Sequence, residues 1–319
     1  MQEAYLGFAS REARGVSACY QQWAEGVASD AALVARISQL TGIKRQPQLI
    51  FAVARLLGAP AAPFPVFREW MLEHWDEVRT ETLSRRNQIN EPHRCAVLLP
   101  LLAALPQPLA LLEVGASAGL CLLPDKYSYQ YVNRPRLDPL EGPSPLLLTC
   151  DATGPVPQPA RLPEVAWRAG IDLHPLDVSS DADTRWLHAL IWPGQDDRHQ
   201  RLDAALRIAR TGAPRLVEGD LTDTVAQLAA QAPSDATLII FHCGVLTYLS
   251  TPQRRVFADT VSKLPAHWIS YEGPSVMSSG MYAPLPPSPE PARALFFVAL
   301  GTRPVAYADG LGQTMHWFG

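Results

Sequence analysis

No stretch of this sequence is apolar for long enough to cross a bilayer, so a membrane-spanning helix is not expected. The opening residues Met1-Gln-Glu-Ala-Tyr-Leu-Gly-Phe8 hold neither a basic segment nor an apolar secretory core, and a cytoplasmic location is expected. Lysine occurs three times (Lys44, Lys126, Lys263) against 24 arginines. The basic residues are scattered, with Arg85-Arg86 and Arg254-Arg255 the tightest groups. With a net charge of -4, this leaves no concentrated positive stripe of the kind nucleic-acid binding requires. The five cysteines (Cys19, Cys95, Cys121, Cys150, Cys243) are odd in number and widely spaced, without a Cys-x-x-Cys or His-x-x-x-His pairing. Spacing therefore supports neither a disulfide framework nor a metal site, and reduced, mostly buried thiols are expected. Internal repeats are absent. What is present suits a globular chain: 319 residues, 47% hydrophobic and 18% charged, enough for one large domain or two ordinary ones.

Residues 1–106 read as a helical region. Asp30 can cap a helix running to Leu40, and Pro47 opens another that Gly58 can close. Phe67, Trp70, Met71, Trp75, Val78 and Thr82 share one face of a long helix over 65–88. Residues 95–105 are apolar all round, which predicts a buried helix bent at Pro100. No strand is expected before residue 108.

From 107 to 319 the pattern alternates. Strands are predicted at 109–114, 166–171, 215–219, 237–243, 267–272, 294–300 and 313–318. Helices are predicted at 118–125, 183–191, 197–211, 222–231 and 251–263. Short continuous apolar strands alternating with helices indicate an α/β fold, a doubly wound and mostly parallel sheet covered on both faces. The last two strands, with only a loop near Gly310 between them, predict a closing antiparallel pair. An insertion at 124–165 interrupts the scheme. Its tyrosines favour an ordered lid, and Leu146-Leu-Leu-Thr-Cys150 offers a small strand. Pro284–Pro291 reads as a stiff loop.

The richest stretch is Leu109-Ala-Leu-Leu-Glu113-Val-Gly115-Ala-Ser117-Ala-Gly119-Leu. Strand, glycine turn and helix in that order build the mouth of a nucleotide or nucleoside site. The same letters spell Gly-x-Ser-x-Gly, the elbow that presents a serine nucleophile. That alternative, a serine hydrolase using Ser117, has His242, His267 and His316 downstream. It lacks the strands and the oxyanion loop that precede such an elbow. The third glycine of Gly-x-Gly-x-x-Gly is also missing, which disfavours a dinucleotide site.

Several segments together resemble a bacterial family catalogued as domain of unknown function 2332. They include Arg86-Asn-Gln-Ile-Asn90-Glu91-Pro-His-Arg94, Glu113-Val-Gly-Ala-Ser-Ala-Gly-Leu, Asp125-Lys-Tyr127-Ser-Tyr129 and Arg168-Ala-Gly-Ile-Asp172-Leu-His-Pro-Leu-Asp177. Gly219-Asp220-Leu, His242-Cys-Gly-Val-Leu246-Thr-Tyr248-Leu and Trp268-Ile-Ser-Tyr-Glu272 continue it, so the resemblance covers nearly the whole chain. It implies a class I methyltransferase-like Rossmann core behind a helical cap.

On that basis S-adenosylmethionine is the expected cofactor and an unidentified small molecule the expected partner, with oligomeric state left open. Bare Gly115 and Gly119 allow backbone to approach the donor, and Ser117 stands between them. Glu113 favours the donor's positive sulfonium and ammonium. Asp172 is expected on the ribose hydroxyls, with Asp151 as its rival, and Asp220 beside the adenine edge. His242, Glu91 and Tyr248 are the catalytic candidates, and Asn90, Arg94, Tyr127 and Arg198 the substrate-binding ones. A non-catalytic nucleoside-binding module with the same fold is the further alternative.

Overall fold

The computed structural model describes residues 1–277, 280–290 and 295–319. The chain divides into two compact units, one of Met1–Ile89 with Ser179–Asp203 and the other of Asn90–Val178 with Ala204–Gly319. No helix among the described residues is long and apolar enough to cross a membrane.

The first unit is helical. It contains α1 (Gln2–Phe8), α2 (Ala18–Ser29), α3 (Ala31–Ile37), α4 (Pro47–Leu56), α5 (Phe64–Glu73) and α6 (Trp75–Ser84). Asp30 caps α3 as its sequence position predicts, accepting from Leu33 N at 2.9 Å. The single helix expected over 65–88 is broken at His74, whose ring stacks on Trp70 and whose Nδ1 lies 3.0 Å from the Trp70 carbonyl. The core is aromatic. Trp23 and Phe67 stack at 3.7 Å between centroids, and Phe51 meets Tyr5, Phe8, Tyr20 and both of these rings. Residues 179–203 belong to this unit and supply α8 (Asp181–Ala189), capped by Ser180, with Trp186 fully buried.

The second unit opens with α7 (Arg94–Ala104), which lies with the sheet rather than with the preceding helices. Its mixed sheet has ten strands: β1 (Leu109–Val114), β2 (Ser128–Tyr131), β3 (Leu147–Thr153), β4 (Val165–Asp172), β5 (Arg215–Glu218), β6 (Thr237–Cys243), β7 (His267–Glu272), β8 (Phe296–Leu300), β9 (Arg303–Ala308) and β10 (Thr314–Trp317). Their order is β2-β3-β10-β9-β8-β7-β6-β1-β4-β5. Pairing is mostly parallel and turns antiparallel only through β7-β8-β9-β10. The five strands β5-β4-β1-β6-β7 form the doubly wound centre. The chain moves outward one way from β1 to β4 and β5, and the other way to β6 and β7.

One face of the centre buries Leu112, Val114, Ile171 and Ile240 under α10 (Leu221–Ala229) and α11 (Thr251–Ser262), through Val225, Leu228, Phe257 and Val261. Each such side chain contributes about 1.5–3 kcal/mol of burial. Ser250 and Gln253 close a capping box on α11. α12 (Pro274–Met277) also belongs to this unit, whereas α9 (Asp196–Thr211) begins in the helical unit and passes into this one at Ala204.

Three expectations fail for identifiable reasons. The helix at 118–125 is replaced by short 3-10 turns, because left-handed Gly119 and Pro124 bracket too few residues for an α-helix. Strands 294–300 and 313–318 do not pair directly, since β9 lies between β8 and β10 after the tight Gly301-Thr302 turn. Position 294 of the first of these lies outside the described residues, as does Pro291 at the end of the proline-rich loop. The insertion forms no lid: β2 and β3 extend the sheet, and Tyr127, Tyr129 and Tyr131 are buried with their hydroxyls on carbonyls of Leu120, Pro124 and Ala96.

Candidate functional site

At the carboxyl end of β1 the chain bends through Gly115 (φ +76°), Ser117 (φ +50°) and Gly119 (φ +70°). The bend is tied to β4. Gly115 and Ala116 N–H donate to the Ile171 carbonyl at 2.8 and 3.0 Å, and Ser117 N–H donates to Asp172 Oδ2 at 2.8 Å. Asp172 Oδ1 accepts His174 N–H at 2.8 Å. A Cβ on Gly115 would lie 2.6 Å from Val245 in the turn after β6, so glycine lets the two turns close on each other.

Asn90, one of the substrate-binding candidates, braces this bend. Its Oδ1 accepts Ala118 N–H at 2.9 Å and its Nδ2 donates to the Ser117 hydroxyl. The serine therefore rests on an amide, and no imidazole among the described residues bonds it. That arrangement lacks the serine–histidine contact a nucleophile elbow needs.

Side chains alternate across a strand, and paired residues of parallel strands point the same way. Val114 pairs with His242, whereas Glu113 pairs with Phe241. Glu113 and Cys243 therefore share one face, and His242 points to the other.

On the first face, Glu113, Cys121 and Cys243 place their ligand-type atoms all within 4.8 Å of one another. Arg94 joins them, 4% exposed, donating from Nη1 to the Cys243 carbonyl at 2.8 Å and from Nε to the Gly310 carbonyl at 3.0 Å. Glu113 is 4% exposed and its Oε2 has no hydrogen-bond partner among the described residues. Burial pushes the Glu113 carboxyl well above its ordinary range. The neighbouring Cys243 and Cys95 thiols push the Cys121 thiol below its usual value. Two like charges at such separations repel by about 3.5 kcal/mol or more at an effective dielectric near 20. Arg94 alone offsets only one of them, so the cluster retains protons unless a further cation enters. Nothing in the spacing of the cysteines marks this cluster. It exists only because the sheet brings positions 113, 121 and 243 together.

On the opposite face, His242 is fully buried. Its Nδ1 lies 2.7 Å from Glu272 Oε1, and Trp268 Nε1–H donates to its Nε2 at 2.9 Å, which fixes the tautomer with hydrogen on Nδ1. Ser270 Oγ lies 3.2 Å from Nε2 and accepts from the Tyr282 hydroxyl at 2.8 Å. Serine, histidine and glutamate are thus in sequence, but the indole occupies the nitrogen a nucleophile would use. Glu272 Oε1 also accepts Val245 and Leu246 N–H at 2.9 and 3.0 Å, so this network orders the turn after β6 from beneath.

The other candidates disperse. Asp220 is the N-cap of α10, its Oδ1 accepting Thr222 N–H at 2.8 Å. Tyr127 lies sealed in the core, while Tyr248 is 46% exposed on the turn after β6. Glu91 is buried, with Oε1 3.2 Å from His93 N. Arg198 belongs to the helical unit, donating to Gln195 Oε1 at 2.8 Å. Asp151 sits on β3, six strands from β1 in the sheet order, whereas Asp172 ends the strand beside it. Asp309, not among the site candidates, organises the β9–β10 turn, accepting Leu311 and Gly312 N–H on Oδ1 and Thr314 N–H on Oδ2. That turn presents the Gly310 carbonyl to Arg94.

No curated protein matches the sequence. A family model described as "Uncharacterized protein conserved in bacteria (DUF2332)" matches residues 2–317, and the chain belongs to that family.

Proposed function

We propose that the sheet-bearing unit binds S-adenosylmethionine between the turns after β1 and β6 and directs its methyl group to a small molecule. The observation that carries this is the strand order. Progression through the sheet reverses between β1 and β6, and open α/β sheets take their ligands at such a point, outside the carboxyl ends of the strands. The donor set there fits the guest chemically. Asp172 at the end of β4 and Glu113, one residue before the end of β1, bring two carboxyl side chains to this edge, and acceptors of this kind suit a molecule with a ribose diol and an ammonium.

When bound, S-adenosylmethionine supplies an electrophilic methyl carbon. The chain's own contribution is positioning. Asp172, held by Ser117 N–H, orients the ribose, and Asn90 keeps the bend from shifting. Tyr248, on the turn that Glu272 orders, faces the acceptor side. Fixing two reactants in this way removes several kcal/mol of barrier without a strong base.

Irradiating the full-length protein with methyl-tritiated S-adenosylmethionine tests the proposal. Covalent label that S-adenosylhomocysteine suppresses and NAD does not is expected. Label no greater than on denatured protein, or label indifferent to the competitor, would remove the basis for it.

A further inference from the structure

We infer that Glu113, Cys121 and Cys243 form a site for one divalent transition-metal ion of zinc-like chemistry. This goes beyond the methyl-donor proposal and does not depend on it. Three elements converge to make the site: the end of β1, the turn that follows it, and the end of β6. Their ligand-type atoms lie within 4.8 Å of one another. Donors around one tetrahedral ion stand roughly 3.5–4 Å apart, given bonds of about 2.0–2.3 Å, so a small contraction closes the shell.

An independent observation points to a cationic guest: Glu113 Oε2 is buried, lies in this cluster and has no partner among the described residues. Two thiols select a soft or borderline ion over magnesium or calcium. The charges also balance. Two thiolates and a carboxylate carry three negative charges, a dication leaves one, and Arg94, fixed on the Cys243 and Gly310 carbonyls, stands beside them with the compensating positive charge. Each ligand gives up its proton as the ion enters, so uptake releases protons. Cys95, whose thiol donates to the Cys121 carbonyl at 3.6 Å, offers a further sulfur for the fourth position, which water otherwise fills. Asp172 lies outside this set, so a bound ion takes Glu113 out of the proposed methyl-donor set but leaves the ribose contact of Asp172 in place.

Cobalt(II) is the probe, because thiolate ligation produces a charge-transfer absorption that oxygen-only sites lack. Full-length protein, reduced and stripped with a chelator, is expected to develop that band to an endpoint of one ion per chain, and zinc is expected to bleach it. Replacing both Cys121→Ser and Cys243→Ser abolishes the band, while Cys19→Ser, in the other unit, retains it. Glu113→Gln keeps the band but weakens binding by about tenfold or more. Thermal melts of the metal-free variants confirm that each is folded. A band that survives the double replacement, or no band in the native chain, overturns the inference. So does a Cys121–Cys243 disulfide recovered from unreduced protein that shows no cobalt band after reduction, which would make the two thiols a redox pair instead.

Discussion

Glu113 shows how one buried side chain couples the site to stability. Its carboxyl is raised by burial from an ordinary value of 4.5. The folded state then binds more protons than the unfolded chain between those two values, so stability falls as pH rises through that window. In metal-free protein, Glu113→Gln is expected to remove this slope. The variant's melting temperature should gain on the native protein steadily as pH rises above about 4.5. Parallel melting curves across that range would mean that Glu113 is paired or solvated after all. The identity of this residue was plain in the sequence, because an acid two places before a glycine turn stands out. Its cysteine neighbours were not, since Cys121 and Cys243 are 122 positions apart in the chain and only strand order unites them. His242 shows the converse. Its place at a strand end was legible, but which face it points to depends on register with β1, and register places it under Trp268.

At the level of elements, the sequence pattern located β1, β6 and β7 to the residue, because each is short, mostly or half apolar and buried on both faces along nearly its whole length. β9 escaped for the opposite reason. Pro304 cannot donate to a ladder and reads as loop, yet it pairs beside the irregularity between Val298 and Ala299, where the ladder tolerates it. β2 is four residues long in a Pro- and Arg-rich stretch and carries no alternation strong enough to read. The β9–β10 turn offers a sharp test of how tightly such an element holds the site. A Cβ on Gly312 would lie 2.6 Å from the His93 carbonyl at φ +89°, whereas one on Gly301 (φ +60°) meets nothing within 4 Å. Gly301→Ala should cost about 1 kcal/mol, the backbone penalty alone. Gly312→Ala should cost measurably more in urea unfolding, because it also pushes on the residue before Arg94. Equal losses would mean the turn yields freely.

For the whole molecule, the alternation of helices and short apolar strands was enough to reveal an α/β chain with a mostly parallel sheet. It could not reveal that residues 179–203 return to the helical unit, since a helical connection between two strands of a parallel sheet reads alike whichever unit it packs with. Nor could it show that the 124–165 insertion widens the sheet instead of covering it. What supports the proposed function is the reversal of strand order at β1 and β6, with Asp172 on the neighbouring strand end. Calorimetric titration of the full-length protein with S-adenosylhomocysteine tests that claim most directly. The account predicts saturable binding at one site, weakened at least about tenfold, or 1.4 kcal/mol, in Asp172→Ala. Asp172→Asn, which keeps an acceptor for Ser117 N–H, should fall between the two. Absence of heat with the native chain, or an affinity unchanged in Asp172→Ala, would contradict it.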